Sequence, residues 1–412
     1  LATIRPFQPY RYSPKAGDPA NLVTQPYDKI TPEMQARYLA ASPYNLVRVI
    51  LGEKRASDHD DDNVYTRAAA YLDNWIGDGI LVRDPVPALY AYFQEFAVPD
   101  SGERLTRQGF IAIGKIEDYS AGVVFRHEQT LTGPKKDRLE LLRHTRAHFG
   151  QIFMLYPEPE GEIDRLLQQS TAAAPVLDVL DDDGARHCLW PVADAARIAQ
   201  IEALMADKKL LIADGHHRYE TALAYRNEHP EDPAAQFVMM TLVNMHSPGL
   251  RILATHRVLR NLEHFDPVRF FEAAVKAGWS VAALQSLDVL KQRMSHPDPK
   301  LVQIGVVARG EIRLMQHPRK EDRLDVPILH QDILAGLLGI SEEAVRDEKF
   351  IKYVRGIQAA AAEVEKGAQV AFLLEPTPID DMARIAFSGG VMPQKSTDFY
   401  PKLLSGVTIY KL

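Results

Sequence analysis

Cysteine is almost missing from this chain. Cys188 is the only one in 412 residues, which excludes an internal disulfide, a CxxC redox pair and any zinc site built on several thiolates. Long apolar runs are missing as well. Stretches such as Val302–Val307 and Val370–Leu374 are strand-length, far below the roughly 18 residues of a helical membrane span. The opening Ile4-Arg5-Pro6-Phe7-Gln8-Pro9-Tyr10-Arg11-Tyr12 has no apolar core behind a basic start, so no secretory signal is expected, and the chain reads as cytoplasmic. Positive charge is in deficit: 48 Lys and Arg stand against 55 Asp and Glu, for a net charge of −7. That argues against nucleic acid as the main partner, because bulk affinity for it rests on a positive field. A local basic cleft stays compatible with it. Internal repeats, low-complexity tracts, GxGxxG, GxSxG and EF-hand loops are all lacking.

What is present is globular: 46% hydrophobic and 25% charged residues, in a chain long enough for two domains. Thr31-Pro32-Glu33 opens a helix, with Thr31 as its cap and Pro32 where the missing N–H costs nothing. Val47–Leu51 is β-branched enough to predict a short strand. The acidic run Ser57–Asn63 reads as a solvated turn ahead of a helix over 65–77, with a cation site as the alternative. Alternation over 88–98 and 105–116 predicts a hairpin. Pro134 opens a helix with Leu139, Leu142 and Phe149 on one face, followed by strands at 152–156 and 210–213 and a helix over 216–228. Strands are expected at 237–243, 250–259, 301–307, 312–315, 370–374 and 406–410, and helices at 268–276, 287–294, 328–338 and 379–387. The fold class is therefore α/β or mixed α+β. The polar stretch 261–267 suggests domains 1–262 and 263–412, the second carrying the Met392–Thr397 loop.

The most informative segment is Lys208-Lys209-Leu210-Leu211-Ile212-Ala213-Asp214-Gly215-His216-His217-Arg218-Tyr219-Glu220. A short apolar strand ends, the chain turns at Asp214-Gly215, and a helix starts with two imidazoles and a guanidinium in its first turn. Cations there oppose the helix dipole, whose N-terminus is positive. The conflict resolves if an anion sits at that end, bound by the amides and by charge-assisted bonds from His216, His217 and Arg218, with Gly215 allowing close approach. A surface helix with incidental histidines is the alternative.

Asp214-Gly215-His216-His217-Arg218-Tyr219, after a strand and before an Ala-containing helix, resembles the Gly-x-His-Arg signature of the ParB/sulfiredoxin superfamily, which includes partition nucleotidases, sulfiredoxins and free-serine kinases. The resemblance implies a ParB/sulfiredoxin-like core with a flanking α/β region, and nucleotide phosphates at the helix N-terminus. Sulfiredoxin's reactive cysteine is replaced here by His216, so that thiol chemistry is not expected. Over a longer span, Tyr27-Asp28, Arg126-His127-Glu128-Gln129-Thr130, Asp137-Arg138-Leu139, Thr255-His256-Arg257 and Met392-Pro393-Gln394-Lys395-Ser396-Thr397 stand, with the 214–219 run, in the order of bacterial domain-of-unknown-function family 1015. The chain is identified as a member on those motifs, and membership carries no activity with it.

Other constellations are less decisive. His127-Glu128 is not a zinc-protease start, because the second histidine would fall at Leu131. Arg126 and Glu128 would share one strand face and His127 the other, with Glu128 available to take a proton or hold Mg²⁺ and Arg126 to hold phosphate, or the two forming a structural pair. His144 and His148, four apart, would meet one metal on a helix or line a solvated face. Thr255-His256-Arg257 offers a second cationic pair. Set against the Walker loop Gly-x4-Gly-Lys-Ser/Thr, Gly389–Thr397 has Gln394 for the second glycine, Pro393 where an amide should face phosphate, and a preceding helix instead of a strand. It is not a P-loop, although Lys395, Ser396, Thr397 and Lys402 would suit a polar anion pocket, or Pro393 and Pro401 a rigid loop.

Together these readings predict a phosphate-handling enzyme, most concretely a Mg²⁺-dependent phosphotransferase between ATP or ADP and a small hydroxylated, serine-like metabolite. Asp214, Glu128 and His217 are the expected catalytic groups; Gly215, His216, Arg218, Arg126, His127, Lys395, Ser396 and Thr397 are the expected nucleotide contacts; Asp214 and Glu128 are the expected metal ligands. A ParB-like nucleotide-binding regulator, a phosphatase or a metal-dependent hydrolase are the competing readings. No membrane partner is expected, and the sequence sets no oligomeric state.

Overall fold

The computed structural model describes residues 2–99, 101–128, 133–319, 323–393 and 395–412. The chain forms two compact units. The first comprises Leu1–Val98, Glu103–Leu250 and Pro401–Leu412, and the second comprises Pro99–Gly102 and Arg251–Tyr400. A single cut at 262 does not describe this division, because 261–266 is an internal turn of the second unit, leading into the helix Pro267–Lys276, and the C-terminal segment belongs to the first.

The first unit is built on a nine-stranded mixed sheet: β1 (Ile4–Arg5), β2 (Leu89–Ala97), β3 (Arg104–Lys115), β4 (Val124–Phe125), β5 (Ile152–Tyr156), β6 (Leu177–Leu180), β7 (Arg186–Val192), β8 (Leu210–Asp214) and β9 (Phe237–Asn244). Their order is β4-β8-β5-β9-β3-β2-β7-β6, with β1 also paired to β3. The β2–β3 hairpin is antiparallel, from Tyr90 opposite Ile111 to Ala97 opposite Arg104. Two pairs are parallel, β4 with β8 and β5 with β9. The unit's α-helices are α1 (Pro32–Ala41), α2 (Val47–Ile50), α3 (Val64–Gly77), α4 (Gly133–Thr145), α5 (Glu162–Gln168), α6 (Ala195–Met205) and α7 (His216–Glu228). One sheet face, with Phe110, Ile152, Met154, Leu210, Ile212, Met240 and Leu242, buries against Leu167 of α5, Ile201 and Met205 of α6, and Tyr219 and Ala222 of α7. Strands such as β5 and β9 are buried throughout, as expected of near-continuous apolar runs in the middle of a sheet.

Thr31 caps α1 through a 3.2 Å bond from the Met34 amide, as its sequence signature predicts. Val47–Leu51 is not a strand. Residues 47–50 form α2, with the Asn45 side chain accepting from the Val47 amide at 2.9 Å and Val47, Val49 and Ile50 all buried. Tertiary burial here outweighs β-propensity. α4 ends at Thr145, and Arg146 takes a left-handed conformation at φ 47°. Phe149 and His148 therefore lie beyond the helix, and Ala147–His148 pairs with Tyr410–Lys411 instead. His144 and His148 are not one helical turn apart, which removes the two-histidine metal reading.

The second unit holds a six-stranded antiparallel sheet of β10 (Thr255–Leu259), β11 (Ser280–Ala283), β12 (Leu301–Ala308), β13 (Glu311–Pro318), β14 (Ile351–Arg355) and β15 (Val370–Leu373), ordered β11-β13-β12-β15-β10-β14. The expected strand over 250–259 is broken into Arg251–Leu253 and β10, and the expected 328–338 helix is a turn of α-helix, Asp325–Ile328, continued by wider π turns over Leu329–Ala335. Mixed α and β runs through both units.

Candidate functional site

The site begins with strand direction. β4 and β8 run parallel, Val124 beside Leu210 and Phe125 beside Leu211, so their C-terminal ends lie at the same edge of the sheet. One end delivers Arg126-His127-Glu128 and the other Asp214-Gly215-His216. The grooves beyond the carboxyl ends of parallel strands are where open α/β sheets collect ligands. β5 runs antiparallel to β8, so Gln151, the residue just before β5, reaches the same edge, and a bulge between Ile212 and Asp214 sets Asp214 opposite Phe153.

Gly215 makes the turn from β8 into α7 at φ 94°, a left-handed conformation natural to glycine, and no side chain caps the helix. A Cβ here would meet the Arg218 guanidinium at 3.0–3.1 Å. Arg218 folds back across this turn. Its Nη2 donates to Asp214 Oδ2 at 3.0 Å and its Nη1 to the Gln151 carbonyl at 2.5 Å. Lys402 Nζ lies 3.6 Å from Asp214 Oδ1. Lys402 is aimed by its own backbone: the buried Gln94 amide donates to the Lys402 carbonyl at 2.9 Å, and the fully buried Arg107 donates to Pro401 O at 2.5 Å. Burial works to raise the proton affinity of Asp214, but Lys402, Arg218 and Lys29 override it and hold the carboxyl well below its usual range. Asp214 is ionised at any physiological pH.

The histidines behave differently from the sequence expectation. His127 is buried, and its Nδ1 lies 2.8 Å from the Ile212 carbonyl. A carbonyl only accepts, so Nδ1 carries the proton. Its ring stands edge-on to that of His216, with centroids 4.7 Å apart. Burial pushes His127 down to about 4 and His216 well below the usual histidine value. Both imidazoles are neutral at neutral pH, so His216 brings a polar ring to the helix end and no positive charge. His216 is 8% exposed, and its Nε2 is closed from solvent with no hydrogen-bond partner among the described residues. His217 is half-buried in the first turn, and its carbonyl accepts from Thr221 Oγ1 at 2.8 Å.

Arg126 lies one residue past the end of β4, so strand alternation does not govern it. Its Nη1 is 3.4 Å from Glu220 Oε1, its guanidinium sits 4.8 Å from the centre of the Tyr119 ring, and Lys135 pairs with the same glutamate. The structural pair for Arg126 is thus with Glu220 on α7. Glu128 follows, half-buried. Gln129 and Thr130 lie outside the described residues. A cleft lined in part by Tyr27, Arg138, His148, Gly150, Arg218 and Ser405 adjoins the turn. Among the described residues no three of His, Cys, Asp and Glu gather as a metal-ligand set, and no helix is long and apolar enough to cross a membrane.

A family model described as "Protein of unknown function (DUF1015)" covers residues 4–331. The chain belongs to that family. No curated protein matches this DUF1015 chain in sequence. Among solved structures it is similar to a free serine kinase in complex with AMP, at 12% identity over 67% of this chain and 83% of that one, with a TM-score of 0.37. It is also similar to a conserved hypothetical protein from Pyrococcus furiosus (12% identity, 68% and 90% covered, TM-score 0.36) and to SbnI with a C-terminal truncation from Staphylococcus aureus (10% identity, 72% and 85% covered, TM-score 0.36).

Two further motifs of the DUF1015 chain lie in the second unit. His256 is buried on β10, pushed down to about 4 by burial and by Arg257, and its Nδ1 accepts from the Leu374 amide at 3.2 Å. Arg257 is fully buried, donates to the Thr255 carbonyl and, at 3.0 Å, to the Lys395 carbonyl. Ser396 Oγ donates to Pro393 O at 2.6 Å, and the Ser396 carbonyl accepts from Thr377 Oγ1 at 2.9 Å. These bonds frame the 392–397 loop; Gln394 lies outside the described residues. Sequence reasoning missed Gln151, Lys29 and Glu220 as parts of the first-unit site. Nothing in the sequence around Gln151 marks it, because strand order alone brings its carbonyl to Arg218.

Proposed function

We propose that this protein is a phosphate-handling enzyme that binds ATP or ADP at the Asp214–Arg218 turn and transfers a phosphoryl group to the hydroxyl of a small metabolite. The observation that carries this reading is an ionised carboxylate, Asp214, set between Lys402 and Arg218 at an uncapped helix N-terminus. Phosphoryl transfer asks a protein mainly for positioning and spread positive charge. The first-turn amides of α7 and the open Gly215 backbone receive phosphate oxygens, and Lys402, Lys29 and Arg218 supply the charge. His216 Nε2, buried beside them, takes part through a neutral hydrogen bond, and Arg126 and His127 form the wall next to the turn. The acceptor hydroxyl forms the new O–P bond, the bond to the leaving nucleotide breaks, and Asp214 takes the proton, with His217 as the second group able to move one.

Mg²⁺ dehydrates reluctantly and needs only one or two protein carboxylates beside phosphate oxygens and water. Asp214 and Glu128 are the residues that would hold it, and the ion would neutralise phosphate charge. The serine-like acceptor rests on the resemblance of the 214–219 run to free-serine kinases.

Thermal-shift measurements with ATP, ADP, phosphorylated metabolites and Mg²⁺ test the proposal. Nucleotide raises the melting temperature of the wild type. Asp214→Asn keeps that rise and loses turnover by about 10²–10⁴-fold, the usual contribution of a positioned proton acceptor. Unchanged melting across the whole panel overturns the reading.

A further inference from the structure

The nine-stranded and the six-stranded sheet each end in two strands that have a neighbour on one side only. Such an edge is a row of open N–H and C=O groups that another strand can join, and proteins commonly blunt it with charge, proline or shortness. Three of the four ends are blunted in this way. β4 is two residues long and runs straight into Arg126. β6 carries Asp178, paired with Arg186, and is followed by Asp181, Asp182 and Asp183. β14 carries Lys352 and Arg355, each held by a carboxylate. The fourth end, β11, has none of these devices. Ser280-Val281-Ala282-Ala283 holds no charge and no proline, and three of its four residues are exposed.

β11 pairs with β13 on one side, Ser280 opposite Gln316 and Ala283 opposite Arg313. The Leu284 amide donates to the Ile312 carbonyl at 2.9 Å, which fixes the alternation: Leu284, Ala282 and Ser280 exchange bonds with β13. Val281 and Ala283 therefore direct their N–H and C=O groups away from the sheet, where they meet no partner among the described residues. The helix Pro267–Lys276 packs on this strand through a face that buries Phe270, Phe271 and Ala274. Val268 and Val275, seven residues apart and so on one stripe of that helix, stay 58% and 56% exposed.

Charge around the strand is ordered so that a copy of the same strand matches it. No charged residue occurs from Ala277 to Leu287, and Ala282 is the middle of that window. Lys276 stands just before it and Asp288 just after it, both exposed. Antiparallel pairing about Ala282 turns the lysine end of one strand toward the aspartate end of the other. The neutral middles then meet without like charges, although each chain carries −7 overall. The backbone is self-complementary in the same register. With Ala282 opposite its own counterpart, Val281 falls opposite Ala283, and each such pair exchanges both of its bonds, so every group the edge leaves open is answered. We propose that β11 is the contact of a twofold-symmetric homodimer, in which the six-stranded sheets of two copies join edge to edge into one antiparallel sheet. The helices that carry the exposed valines then lie on one face of the joined sheet, on either side of the seam. A strand of other sequence would also answer the amides. Only one with this reversed order of charge answers Lys276 and Asp288 as well, and a second copy has it.

The test is sedimentation velocity of the full chain from micromolar to several hundred micromolar concentration. The wild type passes from monomer to dimer as concentration rises. Ala282→Asp sets two like charges opposite each other across the axis and weakens association at least about tenfold, and Ala282→Lys alone does the same. Mixed in equal amounts, the two variants associate again, because the charges across the axis are now opposite. Ala282→Cys places two thiols at the spacing of a non-hydrogen-bonded pair, about 4.5 Å between Cα atoms, which a disulfide spans. Mild oxidation therefore links two copies of that variant, while Ser280→Cys, four residues out of register with its own counterpart, gives no link. Cys188 is buried and leaves the wild type unlinked. A monomer at every concentration overturns the assignment and leaves the edge to a strand of a different chain. A dimer that Ala282→Asp leaves intact, or a charge-reversed mixture that stays apart, also overturns it, as does an Ala282→Cys protein that does not cross-link. The cysteine link reads the same contact without adding charge, so the test holds even if a charged variant fails to fold. The strand shares no residue with the 214–218 turn, so the result does not depend on the phosphate reading.

Discussion

Arg218 reaches back over Gly215 to donate to Asp214 Oδ2 at 3.0 Å, so the cation of the helix's first turn is neutralised by the carboxylate that ends the strand before it. The pair explains how a guanidinium is tolerated against the dipole of α7. It also gives Arg218 a second part beside supplying charge: it holds Asp214 in place and ionised, while the amides of the first turn remain for an anion.

Replacing Arg218 removes charge-assisted bonds to Asp214 and to the Gln151 carbonyl, each partly shielded from water. Arg218→Ala is expected to lose about 2–4 kcal/mol of stability, taking hydrogen bonds to charged groups at roughly 1.5–3 kcal/mol each with allowance for partial exposure. It also abolishes the nucleotide-dependent rise in melting temperature. Denaturant unfolding and thermal shift read the two effects separately. A variant that melts like the wild type and still responds to nucleotide would show that the phosphate site lies elsewhere.

Acidification loads the buried histidines. His127 is pushed down to about 4, while in the unfolded chain it titrates near the ordinary histidine value of about 6.5. Between those values the unfolded state binds the extra proton, so stability falls as pH drops through that window, by up to about 3 kcal/mol for one fully buried ring. His216 adds to the loss in the same direction. Asp214, whose carboxyl is held low, contributes stability above the unfolded aspartate value and loses it only in stronger acid. Melting temperature should therefore decline from pH 6.5 to pH 4.5, and His127→Gln should flatten part of the decline. A pH profile identical in wild type and variant would contradict the assignment of a neutral, buried ring.

Gly215 sits at φ 94° with the Arg218 guanidinium 3.0–3.1 Å from where a Cβ would stand. Gly215→Ala combines a left-handed conformation with displacement of Arg218, and a cost of about 1–3 kcal/mol is expected. Because the added methyl also crowds the first-turn amides, nucleotide response should fall further than stability does. Equal response to nucleotide in a folded Gly215→Ala protein would argue that the amides of this turn do not hold phosphate.

Local chemistry was legible where one short segment decides its own conformation. Thr31-Pro32 announced α1, the alternation over 88–98 and 105–116 announced the β2–β3 hairpin, and the apolar run ending in Asp214-Gly215 announced the strand and turn before α7. It failed where burial reversed a propensity, as in α2, or where a left-handed residue stopped a helix early, as Arg146 does after α4.

By itself, then, the sequence determined the class of fold and the presence of an unusual turn at 214–218, because capping, periodicity and glycine geometry act over a few residues. The tertiary structure alone decided what that turn faces. Parallel pairing of β4 with β8 set His127 against His216, antiparallel β5 brought up Gln151, and the buried Arg107 and Gln94 steered Lys402 onto Asp214 from nearly two hundred positions away along the chain. Charge and burial at a site are sums over neighbours in space. The order of residues leaves those neighbours open until the strands have paired.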